Sequence, residues 1–252
     1  MYRTEVKLKK IPMDELKKDY CDREKFEKFC KECRNYGTTW SCPPYSFAVE
    51  DYLKDYKDIY LIGVKIIFDE ETLKKVNTKE KINEYTTETL KYMKDKIMME
   101  LLRVEKRYKG SKSLSAGGCK ICDDCSRKNN IQCQHPDMMR YSLESMGFDV
   151  GGISSRLLNY ELKWATETSL PEYFSLVTGL MTKTEIKGFE KELNIKAGET
   201  TSDLKFTLDG LRCVGACGLA PVVVVDGKVY GLCTPDQVTN ILDEYREVEL
   251  NC

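Results

Sequence analysis

The residues able to do chemistry in this chain are its cysteines: twelve of them, against a single histidine, in 252 residues. The most specific run is Cys119-x2-Cys122-x2-Cys125-x7-Cys133, entered through Gly117-Gly118 and followed by Pro136. Three thiolates at two-residue gaps can converge on one face of a cubane without regular structure. A fourth, more distant cysteine near a proline completes such a set. A four-thiolate zinc knot is the competing reading, but zinc sites usually arrive as two separated CxxC pairs. The run therefore favours a [4Fe–4S] cluster over zinc. His135 lies two residues after Cys133 and reads as a packing or hydrogen-bonding neighbour rather than a ligand.

A second group is Cys30-x2-Cys33-x8-Cys42-Pro43-Pro44-Tyr45, with Cys21 nine residues upstream as the nearest fourth thiolate. Two arrangements stay open. Either Cys21 closes an electron-transfer cluster, or three thiolates bind and one iron keeps an exchangeable position able to act as a Lewis acid on a substrate. Structural zinc is the plainer alternative. The third group, Cys213-x3-Cys217 with Cys233 and the terminal Cys252, sits among glycines that leave room for backbone to approach a cluster sulfide. Four nearby ligands are not visible there, and Cys252 receives no role.

Composition narrows the function classes. Forty Lys plus Arg against forty-one Asp plus Glu give a net charge of −1, which argues against a basic nucleic-acid footprint and against a polyacidic tail. Residues 1–10 have no apolar core of the kind a signal peptide needs. The most apolar run, Ile59 to Phe68, is broken by Gly63 and Lys65 and is too short to span a bilayer. The expectation is a cytoplasmic chain that keeps its thiols reduced, so that metal binding outranks disulfides. No P-loop is present, Gly151-Gly152 lacks a dinucleotide fingerprint, and the CxxxCxxC order of radical-SAM enzymes is absent. One histidine is a poor basis for a Ser-His-Asp or Cys-His set, and no catalytic residue is assigned. Arg140, Ser142 and Glu144 read as hydrogen-bonding and salt-bridging positions on a helix face.

The elements that must position these groups follow from periodicity and punctuation. Tyr2 to Lys10 reads as an edge strand, Pro12 opens a helix with Asp14 and Glu15 in its first turn, and Asp22 to Lys31 forms another short helix. Ile59 to Phe68 is a strand. From Thr78 to Tyr108 the residues Ile82, Tyr85, Thr89, Met93, Ile97, Leu101 and Val104 step by three or four, an amphipathic helix whose Met and Tyr stripe faces a core. A helix is expected from Pro136 to Gly147, a strand from Tyr173 to Met181, and a helix from Lys183 to about Leu193. Val222 to Val225, Asp226-Gly227 and Lys228 to Leu232 spell a hairpin. Thr234-Pro235-Asp236-Gln237 then caps a final helix running to about Val248.

Two resemblances rest on these residues. Leu193-Asn-Ile-Lys-Ala-Gly-Glu-Thr-Thr201, Phe206-Thr-Leu, Cys213-Val-Gly-Ala-Cys-Gly-Leu-Ala-Pro-Val222, Gly227 and Thr234-Pro235 resemble the C-terminal half of the thioredoxin-like [2Fe–2S] ferredoxins. Those are the small iron–sulfur subunits of NADH:quinone oxidoreductases and NADH-linked hydrogenases. The resemblance implies two ligands from the Cys213/Cys217 pair and two from an earlier CxxxxC pair, yet no cysteine lies between Cys133 and Cys213. The segment is then a cluster-less docking remnant, or it recruits Cys233 or a second subunit. Residues 1–182 resemble an uncharacterised metal-binding family of anaerobic bacteria and archaea, through Cys30-x2-Cys33-x2-Tyr36-Gly37, Trp40-x-Cys42-Pro43-Pro44, Gly117-x-Cys119-x2-Cys122-x2-Cys125, Cys133-x-His135-Pro136, Arg140-x-Ser142-x-Glu144 and Gly147-x-Asp149-Val150.

The expectation is an α/β first domain, 1–182, with a mixed sheet flanked by helices and cysteine-rich metal loops. A small α+β truncated thioredoxin-like ferredoxin domain, 183–252, follows it. The function expected is single-electron transfer by one or two [4Fe–4S] clusters in an anaerobe. Cys119, Cys122, Cys125 and Cys133 would hold one, and Cys30, Cys33 and Cys42 the second, with Cys21 as a candidate for its further ligand. Cys213 and Cys217 are further metal candidates, and a [2Fe–2S] group there would have an incomplete ligand set. A flavin- or NADH-handling subunit is the expected partner, a homodimer is compatible with the sequence, and neither nucleic acid nor membrane is expected. The alternatives are an iron–sulfur reductase or sulfur-removing lyase with an open iron, and a zinc-stabilised interaction module.

Overall fold

The apolar run ending at Phe68 lacks a polar face because both of its faces are covered. In the computed structural model, which describes residues 2–184, 192–195, 198–209 and 221–246, this run is strand β2 (Asp58–Phe68), in the interior of a four-stranded sheet. The strand order is β1-β2-β4-β3, with β1 at Tyr2–Pro12, β3 at Lys112–Leu114 and β4 at Tyr173–Thr182. Every pairing between these strands is antiparallel, in registers such as Val6↔Val64 and Ile62↔Thr178. β1 is the edge strand expected, with Val6 and Leu8 exposed.

Side chains alternate across the sheet as the pleat requires. Ile59 and Leu61 of β2, with Val177 and Met181 of β4, face a core shared with α1 (Met13–Tyr20), α3 (Val49–Leu53) and α6 (Val150–Leu157). Val64, Ile66 and Phe68, with Phe174 and Leu176, face the other way, onto the long helix α5 (Lys79–Arg107) through Ile82 and Met93. Helices α2 (Arg23–Glu32) and α4 (Glu70–Lys75) are N-capped by Asp22 and Asp69, whose carboxylates accept from the N–H groups of Lys25 and Thr72. Gly63 interrupts β2 for a packing reason: a Cβ there would lie 2.0 Å from the Tyr160 hydroxyl.

The helix expected from Pro136 to Gly147 does not form. Its place is taken by turns and a short 3-10 turn at Glu144–Met146 that stops at Gly147, whose φ is 92°. The reason lies in who claims the backbone. The buried Arg140 guanidinium donates to the carbonyls of Asp137 and Met139, each at 2.8 Å. Ser142 and Ser145 cap one another's N–H groups, and the Tyr141 carbonyl accepts from the Ser115 N–H at 2.7 Å. Arg140 therefore does not lie on a helix face. It reaches 35 residues back to Glu105 of α5, pairing at 2.7 and 2.5 Å with both groups almost fully enclosed.

The chain divides into two compact units, Met1–Lys106 with Gly110–Thr184, and Arg107–Lys109 with Glu185–Cys252. In the second, β5 (Val223–Val225) and β6 (Lys228–Tyr230) form the expected hairpin, turning through Asp226 and Gly227 at φ of 47° and 80°. Gln237 accepts from the Thr234 N–H at 2.8 Å and starts α7 (Pro235–Arg246). Most of the helix expected after Lys183, and the last residues of the one expected to reach Val248, lie outside the described residues. No described helix is long and apolar enough to cross a membrane.

Breaking the Arg140–Glu105 pair from one side strands the other charge in the interior. Arg140→Ala is expected to lower unfolding free energy by about 3–5 kcal/mol in urea titrations, whereas the double replacement Arg140→Met with Glu105→Leu recovers most of it. A loss under about 1 kcal/mol for the single variant would show that the pair is in effect solvated.

Candidate metal centre

Cys119, Cys122, Cys125 and Cys133 all open onto one small cavity of about 20 Å³, closed by Thr39, Trp40, Ile121, Ser126, His135 and Met139. The loop reaches it without regular structure until Cys125, whose carbonyl receives the Lys128 N–H and starts a 3-10 turn at Ser126–Asn129. Asn130 then adopts a left-handed φ of 56° and turns the chain back toward Cys133. The four thiols are mutually close enough for Cys133, Cys122 and Cys125 each to oppose ionisation of Cys119. Burial is the larger effect and pushes the Cys119 thiol up, while the Ile121 backbone N–H works against it. An N–H aimed at a ligating sulfur is one of the features that tune iron–sulfur sites.

Cys30, Cys33 and Cys42 form a second cluster of thiols. Cys30 and Cys33 end α2, where the Cys33 N–H returns to the Cys30 carbonyl at 3.0 Å. Cys42 follows a turn closed by its own N–H on the Thr39 carbonyl and precedes a cis peptide between Pro43 and Pro44. Burial raises the Cys42 thiol, the Ser41 hydroxyl lowers it, and Cys33 and Cys30 raise it further. Cys30 is likewise raised by burial first, then by Cys33 and by the carboxylate of Glu144.

The two groups interlock. The Ser41 hydroxyl, fully buried, accepts the Cys119 N–H at 2.8 Å and lies 3.7 Å from the Cys42 sulfur. Gly118 passes so close that a Cβ would sit 2.8 Å from the Asn35 amide and 3.4 Å from the Cys42 sulfur. Arg127 donates to the carbonyls of Thr39 at 2.9 Å, Cys42 at 2.5 Å and Pro44, and stacks 5.1 Å over the Trp40 ring. Trp40 in turn donates to the Ile131 carbonyl at 3.0 Å. Neither Ser41 nor Arg127 was singled out by spacing. Both are polar residues adjacent or nearly adjacent to a cysteine, a weak signal that becomes informative only when the loops are seen together.

Of the remaining cysteines, Cys21 and Cys233 are described. Cys21 caps the end of α1, bridges to Phe148 and answers electrostatically to Arg23, Glu50, Asp22 and Lys17. Cys233 is buried, with its sulfur 3.8 Å from the Thr234 carbonyl. Cys213, Cys217 and Cys252 lie outside the described residues. Among the described residues no three or more His, Cys, Asp or Glu side chains converge closely enough to hold one metal ion. Four cysteines lining one cavity are the donor number that a cubane cluster or a tetrahedral ion requires. All nine described cysteines are free thiols, a soft donor set that fits iron–sulfur chemistry.

Residues 16–181 match the family described as "Predicted metal-binding protein (DUF2284)". The chain belongs to this family of metal-binding proteins. Residues 179–246 of this family member match a second family, the thioredoxin-like [2Fe-2S] ferredoxins. Among curated relatives, the chain is 52% identical over 60 residues to the HndA component of the NADP-reducing hydrogenase of Solidesulfovibrio fructosivorans, covering 24% of this chain and 35% of that one. It is 46% identical over 56 residues to the E component of the NADH-quinone oxidoreductase of Rickettsia felis, covering 22% and 34%. The chain spans about a third of the length of these relatives. No solved structure matches.

Arg127→Lys keeps a cation near Trp40 but loses the fork that binds three carbonyls. Because each hydrogen bond to a charged group contributes about 1.5–3 kcal/mol, metal bound by this metal-binding protein is expected to pass to a chelator on the order of tenfold faster, followed by visible absorbance. An unchanged rate would show that the fork does not hold the loops.

Proposed function

We propose that the chain is an iron–sulfur protein carrying one or two [4Fe–4S] clusters and moving single electrons between a partner and an acceptor in anaerobic metabolism. The observation that carries this is the single cavity lined by Cys119, Cys122, Cys125 and Cys133, with the Cys30, Cys33 and Cys42 trio tied to it through Ser41. In this reading the first four cysteines hold one cluster and the trio a second. When bound, such clusters supply one-electron redox chemistry at potentials set by charge, hydrogen bonding and solvent exposure. The protein's own part is to bury the Cys119 and Cys42 sulfurs, aim the Ile121 N–H at the first, and fix the spacing of the two groups with Ser41.

The likeness of residues 179–246 to ferredoxins supports a docking role for the second unit, domain 183–252 in this reading, on a partner that handles flavin or NADH. The missing earlier cysteine pair makes a cluster-less docking remnant the better account of Cys213 and Cys217. Cysteines at metal-ligand spacing, in a chain with twelve of them, fit a reducing, cytoplasmic setting.

A second reading, a reductase or sulfur-removing lyase, is favoured by the position of Cys21. Its sulfur lies 4.0 Å from the Met146 carbonyl; if it stays there, three thiolates remain and, on iron, one position for substrate.

Anaerobic purification with iron and acid-labile sulfide analysis tests the proposal. Two cubanes give about eight iron and eight sulfide per chain. Cys133→Ser is expected to lower both to about half, and Cys21→Ser to leave both unchanged. Stoichiometric zinc without sulfide would end the proposal in favour of a colourless interaction module unfolded by chelators.

A further inference from the structure

Beside the trio lies a groove that neither cysteine group uses. It has a volume of about 870 Å³, within the range of sites that enclose small organic ligands. One wall is a single stripe of α5, Lys79, Asn83, Thr86, Leu90 and Lys94, at helical spacing; from end to end it runs roughly 22 Å. The opposite wall is the stretch of β4 from Phe174 to Val177, beyond the point where β3 stops pairing with it. Phe148 and Val150 add apolar surface, and Trp164, exposed, stands at the rim.

The charges in this groove are unevenly matched. At the outer end Lys79 pairs with Glu167 at 2.7 Å, and Lys163 pairs with Glu172 at 2.6 Å. At the inner end Glu144 accepts the Gly117 N–H at 3.3 Å. Lys94 is different. Its ammonium donates to no described acceptor and has no described carboxylate at ion-pair distance, although Glu144 attracts it and Lys120 repels it. It sits over Gly117, 3.0 Å from where a side chain on that residue would begin. Two hydroxyls in the same lining, Thr86 Oγ1 and Ser175 Oγ, are buried and unpaired among the described residues. Half-buried cations and sealed hydroxyls without partners are costly, and an anion would satisfy the cation.

We propose that this groove binds a small organic acid, its carboxylate on Lys94 at the inner end and its apolar body between Leu90 and Phe174. Gly117 joins the groove to the trio, since it lines the inner end and a Cβ on the next residue, Gly118, would lie 3.4 Å from the Cys42 sulfur. An acid bound there lies beside the trio, as an electron acceptor or substrate must. Binding itself is independent of any cluster; its service to the trio rests on the reading above. A phosphate or sulfate could meet Lys94 but would gain nothing from the apolar middle of the groove.

The test uses 4-fluorocinnamate followed by fluorine NMR on the full chain purified anaerobically, with the neutral 4-fluorocinnamamide as control. The acid is expected to bind saturably and about tenfold more tightly than the amide, the scale of one charged hydrogen bond. Lys94→Met is expected to abolish that preference and Lys94→Arg to retain it, with the Trp164 emission shift following the same order. Equal binding of acid and amide, or no saturable binding of either, would overturn the site. Reduction with dithionite adds a separate readout. Broadening of the bound fluorine signal supports a paramagnetic centre beside the inner end. Binding without broadening leaves the organic-acid site standing and counts instead against iron at the trio.

Discussion

A single buried hydroxyl holds the functional half of this molecule in register. Ser41 accepts from the backbone of one cysteine loop and touches the sulfur of the other, so neither loop can shift without disturbing both. The constraint is severe because the two loops contribute almost no regular structure and come from segments nearly eighty residues apart in sequence. Backbone polar groups in such loops need partners when they are covered. Arg127 provides three of these at once, and Trp40 and Ser126 provide two more, on Ile131 and Gln132. The sheet and its helices supply the rigid frame, and this local network supplies the precision.

The frame and the network meet at the buried Arg140–Glu105 pair. Glu105 also accepts from the N–H and the hydroxyl of Ser113, which joins α5 to the start of β3. The same Arg140 straps the segment just after Cys133. The cysteine-bearing excursion is therefore fastened to the long helix near its C-terminal end by a charge network whose members are all satisfied, the condition under which a buried ion pair is tolerable. Its effect here is to fix one geometry.

Spacing made the cysteine groups readable because thiols supplied to one site by a single loop fall at short intervals along it. Periodicity made α5 readable because Ile82, Met93 and Leu101 mark one buried face over many turns. The segment from Pro136 to Gly147 misled for a definite reason: its punctuation suits a helix, but Arg140, Ser142 and Ser145 divert the backbone groups that a helix would use. Ser41 and Arg127 carry only the weak signal of standing beside a cysteine, and Lys94 carries none in one dimension. Their importance comes from partners such as Cys119, Thr39 and Gly117, distant along the chain, and only the folded arrangement supplies those.

Strands β2 and β4 are neighbours in the sheet, yet the whole of residues 69–172 intervenes between them. Pairing them means closing a very long loop, an entropic cost that grows slowly with length but weighs on folding speed. Any group that gathers Cys119, Cys122, Cys125 and Cys133 shortens part of that loop before the strands meet. A second group on Cys30, Cys33 and Cys42 then finds its companion through Ser41, drawing residues on both sides of β2 together. Loading of both cysteine groups would in that case be an assembly cue for the pairing of the central strands.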